Sequence, residues 1–507
     1  MNFLSRLACM LAAVLLLAGE ALATWSIVVV NKKTGEVAVA SATCIANKFP
    51  LKRYLPVIVV GRGAGAAQSA VDVTGVNRNI IRNGLRNGLS PQEILDILGQ
   101  SSSHQSRQYG IAAFSGDAVT FTGTGAGDGK AGVTGEIDGL FYAIQGNVIT
   151  GPEPVLEAEK ALRDTPGDLV TRIMAGMEAA RAMGGDGRCS CSQSDPDGCG
   201  SPPPGTWKSS HCAFIVVSRP GDVDGGCDTI DGCASGTYYL SRQFNGNDTD
   251  PDPIFVLQTK VDQWRQNRVG EPDHYLSEVF VDRDTIVADG QSSARVDVVL
   301  RDIDGTLLTQ GGALLTVTPA KPGTPTAIPG PVTDNGDGTY SFDMVATDQA
   351  GRGAWNIVVD FGGTKTVQLY PPLGLETEAL TDLHVGRFQA SATESPIVSF
   401  TVNLGPSEAG RPYWILGSAS GTTPGLDLGG VLLPLNRDPF FQLLYLNPGP
   451  PLFDGSKGVL DSTGRAEASL DLPPATWSSL VGRRLHFCTL LDSPTGVTSV
   501  VDVLVIP

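Results

Sequence analysis

The hydrophobic period of this 507-residue chain changes once, near Glu278, and that change limits the fold more than any single motif. Before it, strand-like and helix-like patterns alternate. Trp25 to Val30 is apolar on both faces after Ser26, as expected of a strand covered on both sides. Asn31-Lys32-Lys33-Thr34-Gly35 turns the chain, and Glu36 to Thr43 returns with Ala38, Ala40 and Ala42 on one face, which lets another element pack close. Ser90-Pro91-Gln92-Glu93 has the grammar of a capping box opening a helix. Tyr109–Phe114 and Ala118–Thr122 read as a hairpin across Ser115-Gly116-Asp117. Phe141–Ile144 reads as a strand, with helices near Glu153–Arg163 and Asp168–Met183. Strands are expected again at Cys212–Ser218 and Thr237–Leu240, and Asp252–Arg268 is an amphipathic helix with Ile254, Leu257, Val261 and Trp264 on one side.

After Glu278 only the two-residue period remains. "VFVDRDTIVADGQSSARVDVVLRDIDGTLL" is strand, turn and alternating strand, and "DNGDGTYSFDMVATD" repeats the pattern. The elements Ala288-Asp289-Gly290, Arg301-Asp302 and Asn335-Gly336-Asp337-Gly338-Thr339-Tyr340 resemble the turns of the invasin-type bacterial immunoglobulin-like domain. That resemblance implies a β-sandwich over 279–370 of a kind used in surface and adhesive proteins. Pro371-Pro372 marks a linker. Residues 375–507 are again all-β in character, with turn signals in "AGRPYWILGSASGTTPG" and "GVLLPLNRDP", so a second sandwich is expected there.

The first residues read as a targeting segment. Arg6 precedes the apolar run Leu7–Ala18, and Ala21-Leu22-Ala23 supplies the small-x-small pattern of a signal-peptidase site. The run is too short to span a membrane. Cys9 stands ahead of most of that run, with Arg6 where a lipobox has an aliphatic residue, so a lipoprotein is not expected. Cleavage of 1–23 predicts an exported chain, periplasmic, secreted or at the cell surface, that starts at Thr24. Its net charge of −17 argues against nucleic acid or an anionic membrane as partner.

Nine cysteines are present, and Cys9 leaves with the leader. Six of the others, Cys189, Cys191, Cys199, Cys212, Cys227 and Cys233, crowd into 189–233 and read as disulfides stapling an insertion. Zinc is the rival, since His211 adjoins Cys212, but no Cys-x-x-Cys pair exists. Cys44 and Cys488 read as buried free thiols.

A mature start at Thr24 would place a hydroxyl and a primary amine on one residue. An α-amine titrates at about 7.7–8.0, so it can act as base to its own hydroxyl. Before cleavage the same nitrogen is an amide without basicity. The alternative for Thr24 is an ordinary residue after a cleavage site. Gln145-Gly146-Asn147 follows a strand and can aim an amide or backbone N–H at an oxyanion, or can be a strand-end turn. Gly184 and Gly185 suit a helix end. Asp186 and Arg188 can hold a pocket or the α-amine, or form a structural ion pair.

"TWSIVVVNKKTGEVAVASAT", "SPQEILDIL", "RQYGIAAFSGDAVTFTG", "IQGN" and "MGGDGR" occur in an order that resembles the Ntn-hydrolase-like domain of unknown function 1028 family, over roughly Thr24 to Arg268. The resemblance implies an α+β, four-layer αββα sandwich over 24–270 with Thr24 as N-terminal nucleophile. That family typically starts Met-Thr and exposes its threonine by methionine removal; signal cleavage takes that role here. The Cys-rich insertion departs from the family pattern. The expected activity is hydrolysis of a small-molecule or peptide-like amide without cofactor or metal. The alternative is an interaction protein with an inactive Ntn-like domain and a cell-surface partner for its β-sandwiches.

Other motifs carry less. Gly61-x-Gly63-x-x-Ala66 nominally fits a dinucleotide fingerprint, but no second strand ends in an acid about 20 residues on. Asp195-Pro196-Asp197-Gly198 and Asp222-Val223-Asp224-Gly225 suit calcium loops that lack the closing glutamate of an EF-hand. Neither a His-Glu-x-x-His helix nor a Gly-x-Ser-x-Gly elbow occurs.

Overall fold

A computed structural model describes residues 24–347, 349–362, 365–378, 382–394, 396–428, 430–492 and 495–507; the expected leader, 1–23, lies outside them. The chain divides into two compact units. One runs up to Ser277 and includes 300–308 and 358–371; the other comprises 278–299, 309–357 and 372–507.

The first unit is mixed α/β. Its strands β1 (Thr24–Asn31) and β2 (Glu36–Thr43) are buried along their whole length. Asn31 Oδ1 accepts from Lys33 N at 3.0 Å, and Gly35 takes φ +74, which makes the turn between them. Strands β3 (Pro56–Val59), β4 (Gly63–Ser69), β5 (Arg107–Ala113) and β6 (Val119–Thr122) pair in that order as one sheet. The other sheet has the order β10-β9-β2-β1-β8-β7, with β7 (Ala131–Ile137), β8 (Leu140–Asn147), β9 (Cys212–Ser218) and β10 (Leu240–Asn245).

Among the described residues the α-helices of the first unit are α1 (Leu51–Tyr54), α2 (Val76–Arg86), α3 (Pro91–Leu98), α4 (Glu153–Asp164), α5 (Leu169–Ala182), α6 (Gly187–Ser190) and α7 (Pro253–Gln266). Ser90 and Glu93 complete the capping box of α3, worth about 1 kcal/mol. Asp168 caps α5 through Thr171 N, and Asp252 caps α7 through Ile254 N.

Alternation on β1 sends its side chains to two cores. Trp25, Ile27 and Val29 join Ala38, Ala40 and Ala42 of β2 against Val155, Ala158, Ile173 and Met177 of α4 and α5, and Leu257 and Trp264 of α7. Gly176 permits the close approach, since a Cβ there would stand 2.9 Å from Ile27. Val28 and Val30 face the other way, onto Ile58, Ala64, Ala66 and Ala112 of the second sheet. The far side of that sheet packs Val57, Ala67, Tyr109 and Ile111 on Ile81, Leu85, Ile94 and Leu98 of α2 and α3.

Two expectations are corrected, the strand at Thr237–Leu240 and the pairing of the cysteines. The strand expected at Thr237–Leu240 begins only at Leu240; Thr237 instead exchanges backbone hydrogen bonds with Val223, while Asp222 Oδ2 takes the Tyr239 N–H at 2.7 Å. Gly61 and Gly63 belong to the β3–β4 hairpin, not to a strand-to-helix turn, and a Cβ on Gly63 would lie 2.5 Å from Ala112 O. The cysteines also pair differently. The bridges are Cys44–Cys189, Cys191–Cys199 and Cys227–Cys233, leaving Cys212 and Cys488 free and buried. Cys44 is therefore not a free thiol. Asp186 Oδ2 accepts its N–H at 2.6 Å, which draws the end of β2 beside Cys189, while Cys212 heads β9 inside the core between the sheets.

In the second unit, Ala294, Val296 and Val298 alternate inward against Tyr340, Phe342 and Met344, as the two-residue period requires. The strand Leu373–Glu378, just past Pro371-Pro372, pairs with Gly351–Asp360 and Thr285–Val287. Further on, one sheet orders Leu383–Val385, Val398–Asn403, Arg465–Leu470 and Phe453–Asp454, and another holds Pro412–Ser418, Arg484–Leu491 and Val501–Ile506. Phe400, Phe453, Phe487 and Trp477 fill the core of this β region. The unit is mostly β, consistent with immunoglobulin-like sandwiches, but the all-β expectation for 375–507 is corrected by two short helices, Pro439–Leu446 and Pro474–Ser479, the second carrying Trp477 into the core.

The Cys44–Cys189 bridge closes a span of 145 residues, and in the chain-entropy account such a bridge stabilises by about 4–5 kcal/mol. Thiol alkylation of the native, unreduced protein should label none of the eight cysteines from Cys44 onward. Unfolding without reductant should add label at Cys212 and Cys488 alone, read by peptide mapping. Label at Cys44 would contradict the pairing.

Candidate functional site

Thr24 opens β1, and the antiparallel register sets it opposite Asn147, with Trp25 opposite Gly146 and Ser26 opposite Gln145. This pairing brings four of the expected site residues together. Side-chain alternation places Thr24, Ser26, Gln145 and Asn147 on the face that meets the second sheet. The layer is apolar along Val28 and Val30 and turns polar at this end.

The second sheet answers with two glutamines. Gln68 of β4 donates from Nε2 to Thr24 O at 3.0 Å and to Gln108 Oε1 at 2.7 Å, and its Oε1 accepts from Ser26 Oγ at 2.6 Å. Gln108 of β5 donates in turn to Gly146 O at 2.9 Å and Thr122 Oγ1 at 2.8 Å. Gln145 Nε2 donates to Ser26 Oγ, so its amide N–H2 serves this chain, while its Oε1 has no hydrogen-bond partner. Gly110 makes the room, because a Cβ there would sit 2.0 Å from that oxygen. Asn147 Nδ2 donates to Ala126 O at 3.1 Å. Ser26, Gln68, Gln108, Gln145 and Asn147 are all nearly or wholly buried, where an unpaired amide group is costly.

Thr24 itself is 3% exposed, and its hydroxyl lies 3.5 Å from Thr43 Oγ1 at the end of β2. A recess beside it is lined by Phe49, Tyr54, Leu55, Gln68, Ser69 and Val71, among others. The site thus offers a hydroxyl at a strand start, a hydroxyl neighbour and a largely apolar wall.

Asp186 and Arg188 form an ion pair at 2.9 Å, with Asp186 fully buried. The Asp186 carboxylate also takes N–H groups of Arg188 and Cys44, so it reaches the site through the backbone one residue past Thr43. Gly184 and Gly185 end α5 with positive φ, and Gly185 leaves space for the Trp25 ring, 2.7 Å from where its Cβ would be. His211 Nε2 stands 3.4 Å from Cys189 Sγ and 2.8 Å from Asp248 Oδ1, and burial lowers its pKa. Cys44, Cys189 and His211 are the one group with metal-ligand spacing among the described residues, but the two sulfurs are joined to each other.

Gln68, Gln108, Ser26 and Thr43 were not singled out by sequence reasoning. The signal of the two glutamines is a lone amide in each of two small-residue strands, "GAGAAQS" and "RQYGIAA". Its meaning depends on a partner sheet that no local pattern specifies.

Residues 24–194 match DUF1028, a family of unknown function. Residues 273–372 match a second model, invasin domain 3. Among solved structures, a DUF1028 protein from Silicibacter pomeroyi is 19% identical, with 48% of this chain and 88% of that chain covered and a TM-score of 0.35. The adhesin InvE of Yersinia pseudotuberculosis is 15% identical over 45% of this chain and 58% of its own, with a TM-score of 0.19. Invasin, titled a bacterial integrin-binding protein, is 11% identical over 59% and 46%, also at 0.19. The chain spans about half the length of these last two proteins. No curated protein matches it.

Within the DUF1028 stretch, Gln68 holds three polar groups at once. Gln68→Ala abandons Ser26 Oγ, Thr24 O and Gln108 Oε1, each worth about 1–3 kcal/mol when buried and unpaired. A denaturant melt should show a loss of at least about 3 kcal/mol, whereas exposed Gln92→Ala should change stability by under about 0.5 kcal/mol. Equal effects of the two variants would contradict the role given to Gln68.

Proposed function

We propose that the chain acts outside the cytoplasm as a surface-interaction protein, combining a DUF1028 domain with invasin-type β-sandwich modules that meet a cell-surface partner. The match of residues 273–372 to invasin domain 3 carries this reading. Three disulfides support an oxidising compartment. No helix among the described residues is long and apolar enough to cross a membrane. The proposed domains are 24–270, 279–370 and 375–507, after a leader of 1–23.

A second reading is favoured by the place of Thr24. The succession of α4, α5 and α7, two facing sheets, and α2 with α3 supports an Ntn-hydrolase-like αββα sandwich. Leader cleavage would free the Thr24 amine. Thr24 Oγ1 then attacks an amide carbonyl while the amine takes its proton and passes it to the leaving nitrogen. Water attacks the resulting ester, the amine takes a proton from that water and returns it to Thr24 Oγ1 as the acyl C–O bond breaks, and the carboxylic acid leaves with the hydroxyl restored. The Gly146 and Asn147 end of β8, with Gln145, is the candidate oxyanion support, and Asp186 with Arg188 steadies the adjoining backbone.

Two measurements separate the readings. Protease treatment of intact expressing cells should remove the chain from the surface, or the medium should contain it; retention in the cytoplasm would overturn the first reading. A hydroxyl-directed acylating probe is then applied to wild type, to Thr24→Ala, and to a form with one extra residue ahead of Thr24. Under the interaction reading all three label equally. Capture at residue 24 in wild type alone would put the hydrolase in its place.

A further inference from the structure

At the other end of β1, about 23 Å from Thr24 by strand rise, a cavity opens beside the β1–β2 turn. Its polar lining includes Glu36, Asp273 and His274, which are 5%, 6% and 3% exposed. Neither ring nitrogen of His274 has a hydrogen-bond partner, and its Nδ1 stands 3.7 Å from Asp273 Oδ2. A buried imidazole with both nitrogens unanswered is costly unless something in the cavity meets it.

The charges around the cavity are unevenly matched. Lys33 is paired with Asp138 at 3.3 Å and Arg265 with Asp168 at 2.5 Å. Arg172 donates from Nε to Leu162 O and from Nη2 to Arg163 O. Glu36 accepts from Thr34 Oγ1 at 2.6 Å but enters no ion pair among the described residues, and burial raises its pKa. Burial opposes the charge of Asp273 as well, yet His274 and the N–H groups of Leu276 and Tyr275 hold its carboxyl down at about 2. The lining thus holds four carboxylates, Glu36, Asp138, Asp168 and Asp273, against the three fixed cations Lys33, Arg172 and Arg265, with His274 beside Asp273, and this excess disfavours an anionic guest. Leu140, Leu169 and Leu276 supply apolar wall.

We propose that this cavity is a second ligand site that takes a small organic ammonium compound. The ammonium group meets Glu36 and Asp273, the apolar body lies against Leu140, Leu169 and Leu276, and His274 answers a further polar group or the ammonium itself. A cation restores to the Glu36 carboxylate what burial takes from it. This site is independent of Thr24 and of either reading of the function.

The test uses the full chain from Thr24, titrated with butylammonium, 1-butanol and butanoate by calorimetry. Butylammonium should bind saturably, with both controls at least about tenfold weaker. Glu36→Gln, which keeps the shape, should weaken butylammonium by about tenfold, while Thr24→Ala leaves it unchanged. Because Glu36→Gln can disturb folding, the His274 ring resonances of the wild type are followed in the same titration and should shift with the same midpoint. A preference for butanoate, equal binding of the three probes, or no saturable binding with unmoved His274 resonances, as of a cavity that holds water only, would each overturn the proposal.

Discussion

Burying an amide between two β-sheets is costly unless its polar atoms find partners, and the first unit buries several such groups at one end of a single layer. Gln68 meets this requirement for both sheets at once. It reaches from β4 to the backbone of Thr24 and to Ser26 on β1, and sideways to Gln108 on β5. The network replaces, at the end of the layer, the apolar contact that Val28 and Val30 make further along. Such a network specifies register: shifting β1 by one residue would turn Ser26 away from Gln68 and drive Trp25 into the space between the sheets.

That constraint has a consequence for the site. A strand start ordinarily frays, since its first residues lack neighbours on one side. Here β2 and β8 flank Thr24, Gln68 holds its carbonyl, and Asp186 fixes the chain just past Thr43, where Cys44 is bridged to Cys189. The position of the Thr24 hydroxyl is thus set by elements from four distant parts of the sequence. Rigid placement serves a nucleophile, and equally serves a stable fold beside an interaction module.

Local chemistry was legible in the sequence. Ser90 with Glu93, Asp168, and the apolar stripe Ile254–Leu257–Val261–Trp264 act within a few residues, and their pattern names their role. The two-residue period past Glu278 likewise gave away the strands there, though not the short helices Pro439–Leu446 and Pro474–Ser479, and Ala38, Ala40 and Ala42 marked the face that receives α5. Non-local chemistry was not legible. Cys44 lies 145 residues from Cys189, and spacing among cysteines cannot tell which one reaches back to it. Gln68 and Gln108 read as ordinary strand residues until the second sheet is laid over the first, and His274 carries no local signal until it lines a cavity with Glu36.

The central claim is that β1 is held from its first residue by the buried amide network. Native-state amide hydrogen exchange along β1, from Trp25 to Val30, tests it most directly. The account predicts that Trp25 and Ser26 exchange with the same opening free energy as Val28, that of global unfolding. Exchange of Trp25 and Ser26 through a separate low-energy opening, with Val28 still protected, would contradict it.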